Sequence, residues 1–162
     1  MSETAAKAKP GWKSLAALIV LTLGLGGVVG FFIRNDMSFY DSLSTPAFAP
    51  PGWVFPVVWS ILYTAMAVSI WFVLRTGDPA RVRLAVLYAL QLAVNLVWPI
   101  LFFTQHALGL AFVWLVLLWA LVLILMVGSF RLSKTAGWLL LPYLLWLSYA
   151  GLLNFFIARM NP

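Results

Sequence analysis

The sequence predicts an all-α integral membrane protein, a single bundle of five transmembrane helices, and three observations carry that reading. Of 162 residues, 64% are hydrophobic and only 9% charged, at a mean hydropathy of +1.03, which no water-soluble fold built around one core shows. Five apolar runs, at about 14–33, 53–74, 82–103, 107–130 and 135–157, each reach across a hydrocarbon core of about 30 Å at about 1.5 Å per residue. None has the period-two alternation of a barrel strand, and a helix is the other structure that satisfies its backbone in lipid.

Residues 1–13 form a polar N-terminal tail, and MSETAAKAKPG lacks aromatics, so no function is expected of it. The remainder, 14–162, is one transmembrane domain. The first span, 14–33, follows Lys7, Lys9 and Lys13 as a signal peptide would, yet it runs to Ile33 without an A-x-A-like cleavage site and is expected to remain as a helix. Its Gly26 and Gly30 make a small-xxx-small pair that admits a close neighbour, either a helix of the same chain or a second copy in a homodimer. The link at 34–52 is the one long connection. Pro46, Pro50 and Pro51 stiffen it while Phe39, Tyr40, Leu43 and Phe48 give it something to pack with, so an ordered loop is expected.

The second span, 53–74, carries Pro56 early, where proline is tolerated, and sets Phe55, Trp59 and Tyr63 at four-residue steps on one face. In the third, 82–103, Gln91, Asn95, Trp98 and Phe102 share a face. Pro99 cannot donate to the carbonyl of Asn95, which predicts a kink with a spare acceptor beside it. The fourth, 107–130, holds Trp114 and Trp119 but almost no polar side chains, and reads as a wall facing lipid or a dimer partner. The fifth, 135–157, aligns Tyr143, Trp146, Ala150 and Asn154, with Pro142 early in it. Short connections at 76–80, 104–109 and 131–137 make successive helices antiparallel neighbours.

A net charge of +6 and a pI of about 10.1 come from cations between the spans, not from a stripe suited to nucleic acid. Lys7, Lys9, Lys13, Arg75, Arg81, Arg83, Arg131 and Lys134 fall on the N-terminal side, against Arg34 and Arg159 on the other. The positive-inside rule then places the N-terminus in the cytoplasm and the first loop outside, with a bacterial inner membrane as the expected host. Apart from Arg83, at the very start of the third, no Asp, Glu, Lys or Arg lies within a span, and the absence of such a group at depth argues against pumps and ion-coupled carriers. An odd span count without internal similarity argues against inverted-repeat carriers. The absence of cysteine excludes disulfides, thiolate metal sites and cysteine nucleophiles. The sole histidine, His106, sits at a membrane boundary, where a structural or solvated role outweighs a cap or a metal ligand, and a multi-histidine centre is excluded.

Three spans thus present mixed faces of aromatic surface and neutral hydrogen-bonding groups. Such faces suit a flat, largely apolar ligand with some polar substituents; they also suit interhelical packing, with amides paired across helices. Three segments are more specific: FYDSLSTPAFAPPGWVFPVVWSILY at 39–63, NLVWPILFF at 95–103 and LLPYLLWLSYAGLLNF at 140–155. In their order and spacing the chain resembles the translocator protein family, also called tryptophan-rich sensory proteins or peripheral benzodiazepine receptors. The resemblance implies five helices with a pocket near the loop side that binds porphyrins such as protoporphyrin IX and haem, with sterols or synthetic drugs in some members, and no obligatory cofactor. Family ligand positions match Tyr40, Pro50, Phe55, Trp59 and Tyr63 from the loop and second span, and Asn95, Trp98, Phe102, Trp146, Ala150 and Leu153 from the third and fifth. It further implies light-dependent porphyrin breakdown in some bacterial members, attributed to positions matching Trp59 and Trp146.

Two departures stand out. The family's K-P-x-W reads Thr45-Pro46-Ala47-Phe48, losing a cation and an indole, and the sterol-associated pattern reads Leu153, Phe155, Arg159, without its tyrosine. The expectation is a tetrapyrrole-binding membrane receptor or sensor whose loop closes over a ligand between the second, third and fifth spans. A carrier of porphyrins or lipids, a photochemical activity and a purely structural bundle are the alternatives.

Overall fold

The computed structural model describes residues 10–162, which form six helices: α1 (Trp12–Ile33), α2 (Met37–Ser42), α3 (Val54–Arg75), α4 (Ala80–Pro99), α5 (Leu108–Leu132) and α6 (Lys134–Met160). A π-helical turn, Ile100–Thr104, extends α4. Five of these elements are long and apolar enough to cross a membrane, α2 being the exception, and no strand occurs among the described residues. The chain is a multi-pass membrane protein with an all-α fold. Lys7, Lys9 and most of the polar tail lie outside the described residues, and α1 already begins at Trp12, inside the stretch expected to be tail.

Tight connections set the helix order. Ser133 alone separates α5 from α6; its backbone is extended and its hydroxyl accepts a hydrogen bond from the Ala136 N–H, capping α6. The resulting hairpin is the most extensive helix pairing in the bundle. Ser69 on α3 donates to the Ala136 carbonyl at 2.8 Å, fastening α3 to the same end. The turn between α3 and α4 uses Gly77 at φ +76°, a left-handed conformation that costs a glycine little.

α5 turns an apolar face outward at Leu110, Val113, Leu117 and Ile124, as a wall facing lipid would, and its indole N–H groups, surrounded by hydrocarbon, need acceptors. Trp114 donates to the Val94 carbonyl at 2.8 Å and Trp119 to the Ser148 hydroxyl at 2.9 Å, so α5 is tied to α4 on one side and α6 on the other. Along its inward face Leu115, Leu118, Val122 and Leu125 are buried.

α1 packs chiefly on α3, and Gly26 permits it. A Cβ built on Gly26 would overlap the Tyr63 ring, whereas one on Gly27 or Gly30 would meet nothing within 4 Å. The close approach offered by the first glycine is therefore filled within the chain. Gly26→Val should lower the thermal midpoint in detergent by several degrees, overpacking costing about 1–3 kcal/mol, while Gly27→Val leaves it nearly unchanged. Equal midpoints for the two variants would show that α1 does not seat on Tyr63.

Candidate functional site

The loop between α1 and α3 is held shut by contacts on every side. Asp36 accepts from Thr104 at 2.6 Å, and the Phe39 ring stacks on His106 with centroids 3.7 Å apart, giving that histidine a structural role. Asn161, just past α6, accepts from the Ser44 N–H and donates to the Ser44 carbonyl, at 3.0 and 2.9 Å. Tyr149 donates to the Phe48 carbonyl at 2.9 Å, and Phe48 packs edge-on against Tyr149 and Phe156, so the residue that replaces the family's indole serves as an apolar anchor. Tyr40 donates to the Pro50 carbonyl at 2.9 Å. Burial pushes the Tyr40 phenol up to about 12, with Tyr149 and Asp41 adding in the same direction, so it keeps its proton throughout the physiological range.

Beneath this loop an aromatic cleft of about 450 Å³ lies between α1, α3 and the end of α4. α3 supplies Phe55, Trp59 and Tyr63 from the face that four-residue spacing brings together. Trp59 and Tyr63 stack at 5.4 Å with planes 30° apart, and Tyr143 meets Trp59 edge-on at 6.0 Å from behind. α1 faces them with backbone at Gly26, Gly27 and Gly30. The cleft opens sideways, since Gly27 and Gly30 on one wall and Pro56 and Ser60 on the other are exposed.

Behind the cleft runs a buried chain of neutral hydrogen bonds. Tyr63 donates to Asn95 Oδ1 at 2.8 Å, Asn95 Nδ2 donates to the Tyr143 hydroxyl at 2.6 Å, and that hydroxyl donates to Gln91 Oε1 at 3.0 Å. Trp98 donates to Asn154 Oδ1 at 3.2 Å, and Asn154 donates in turn to the Leu108 carbonyl at 2.9 Å. These amides join helices as the packing alternative foresaw, and Asn95 does not border the cleft.

The expected ligand residues therefore divide. Phe55, Trp59, Tyr63 and Trp98 line the cleft. Tyr40, Phe102, Ala150 and Leu153 surround a separate void of about 10 Å³, room for one water at most. Pro50 contributes the carbonyl that Tyr40 holds. Trp146 lies against Phe55, centroids 6.2 Å apart, with its buried Nε1 lacking a partner, and it does not line the cleft. The open space thus sits on the first-span side of Phe55, not between the second, third and fifth spans.

Sequence reasoning missed the α1 wall, Arg34 and Met37 at its end, and Phe103. Phe103 enters because the ladder widens after Pro99: Gln105 N–H bonds the Ile100 carbonyl, five residues back, at 2.9 Å. The wider turn buries Leu101, Phe102 and Phe103 in succession, which a 3.6-residue period does not foresee. Proline followed by consecutive aromatics was the available signal.

Fold and cleft together define a multi-pass α-helical membrane protein with a cleft of small-molecule size. The TspO/MBR family model matches residues 16–160, and the chain belongs to that family. It is 40% identical to the tryptophan-rich protein TspO of Chlorobaculum tepidum, an alignment covering 92% of this chain and 96% of that one. It is 37% identical to protein CrtK of Rhodobacter capsulatus, covering 92% and 94%. The translocator protein of Bos taurus is 36% identical, covering 94% and 92%.

Proposed function

We propose that this protein is a membrane receptor or sensor that binds a tetrapyrrole, protoporphyrin IX or haem, in the cleft between α1 and α3. The observation that carries the reading is the Trp59–Tyr63 stack walling an apolar space of about 450 Å³, within the roughly 300–1,000 Å³ typical of small-molecule sites. Ring faces and glycine backbone suit a flat macrocycle. No imidazole borders the cleft, so the metal-free porphyrin fits it as well as haem does. Lys13, Arg75, Arg81, Arg83, Arg131 and Lys134 cluster at one end of the antiparallel bundle, and the charge count orients that end to the cytoplasm of a bacterial inner membrane, with the loop outside.

Titrating the purified protein with protoporphyrin IX while following tryptophan emission tests this reading. Saturable quenching with a micromolar Kd and one ligand per chain is expected. A linear decline without saturation would overturn it.

A further inference from the structure

The cleft is mostly apolar, and only one charged side chain borders it. Among its polar lining residues, Ser60 bonds back to the Pro56 carbonyl at 2.8 Å, Tyr63 is committed to Asn95, and Trp98 to Asn154. That leaves the Trp59 indole nitrogen and Arg34, the single charged residue on the wall. Arg34 stands at the end of α1 with its guanidinium 3.7 Å above the Phe31 ring and Nη1 donating to the Phe31 carbonyl at 2.8 Å. Its Nε and Nη2 have no hydrogen-bond partner among the described residues. The nearest acid in sequence, Asp36, is bonded to Thr104 instead. A cation held over an aromatic ring at the rim of a greasy cleft, its fork unmatched by any carboxylate among the described residues, is complementary to an acid carried on an apolar body.

We infer that Arg34 is an anion anchor, and that the cleft takes amphiphiles whose carboxylate pairs with Arg34 while their apolar body lies along Trp59 and the α1 glycines. For a porphyrin the acid would be a propionate, and that arm rests on the proposed tetrapyrrole reading. A long-chain fatty acid offers the same chemistry, and the sideways opening at Gly27, Gly30, Pro56 and Ser60 gives its tail a path into the bilayer.

Two pairs of probes separate these sources on the full chain in a neutral detergent. Protoporphyrin IX is compared with its dimethyl ester by tryptophan quenching, and cis-parinaric acid with its methyl ester by energy transfer from tryptophan. Each pair is measured on the native protein, Arg34→Gln and Arg34→Lys. The acid is expected to bind about tenfold more tightly than its ester, as a charge-assisted pair at a wet rim allows. Arg34→Gln should abolish that preference while leaving the ester unchanged, and Arg34→Lys should restore part of it. The preference in the porphyrin pair alone assigns the anchor to macrocycles, and in both pairs to carboxylate amphiphiles generally. If parinaric acid alone shows it, the anchor stands for fatty acids and its propionate arm falls, while the tetrapyrrole reading is kept if the porphyrins still bind saturably and falls if they do not. Equal binding of acid and ester in both pairs, or a preference that survives Arg34→Gln, overturns the anchor while leaving any saturable porphyrin binding intact. If no probe binds, both readings fail.

Discussion

An Asn95→Ala variant is expected to lose about 2–3 kcal/mol of stability, more than any other single change in the core polar chain. Asn95 is 1% exposed and connects three helices, accepting from Tyr63 on α3 and donating to Tyr143 on α6. Tyr143 keeps its bond to Gln91 when the amide is removed, but Tyr63 has no second acceptor. An orphaned buried hydroxyl costs about 1–3 kcal/mol, and an interhelical bond in a membrane protein averages about 0.6 kcal/mol. The first term dominates, because Tyr63 is pinned between Trp59 and the Gly26 backbone and cannot turn toward another partner. Tyr88→Phe is the comparison. It breaks the 2.6 Å bond to Thr22, yet a threonine hydroxyl can bond back to its own helix, so a loss nearer 0.6 kcal/mol is expected. Unfolding both variants in detergent, together with Tyr63→Phe and the Tyr63→Phe/Asn95→Ala double variant, gives the coupling directly. Additive losses, or an Asn95 effect no larger than that of Tyr88, would show that the amide does not hold the bundle together.

What the sequence made legible follows from the periods it could use. Phe55, Trp59 and Tyr63 lie four residues apart, and so do Gln91 and Asn95; helical geometry brings each set to one face wherever the helix is regular. The five-helix architecture was legible for the same reason, as span length and polarity are local properties. The α1 wall was not, because a helix apolar on every side carries no directional signal. The Gly26–Gly30 spacing marked a close approach, but nothing in it told that Gly26 meets Tyr63 while Gly30, like Gly27, meets nothing within 4 Å. Phe103 escaped because Pro99 changes the period beyond it. Arg34 counted as a topology charge, and nothing in its neighbours announces that it borders a cleft. The ties from Trp114 to Val94 and from Trp119 to Ser148 join residues 20 and 29 positions apart, and no local pattern encodes such pairs.

Trp59→Ala should weaken protoporphyrin IX binding by tenfold or more, and Trp146→Ala by much less. A ligand that reaches the cleft from a micelle or bilayer has already left water, so area burial contributes little and stacking decides. Stacking of a flat ring on an aromatic side chain is worth about 1–3 kcal/mol by truncation, close to tenfold per 1.4 kcal/mol. Trp59 is built for it: Tyr63 stacks beside it and Tyr143 braces it from behind, leaving a fixed indole against the open space. Trp146 is screened from that space by Phe55. Trp114, tied to Val94 away from the cleft, serves as the control that should change nothing. The comparison also tests whether Phe55 is a fixed partition. Phe55 borders both the cleft and the small void beside Ala150 and Leu153, so a rotation of its ring on ligand entry would merge the two and bring Trp146 into reach. Equal losses at Trp59 and Trp146 would reveal that merger and return the site to the second, third and fifth spans. A loss confined to Trp59 keeps the ligand on the first-span side, where Arg34 stands at the rim.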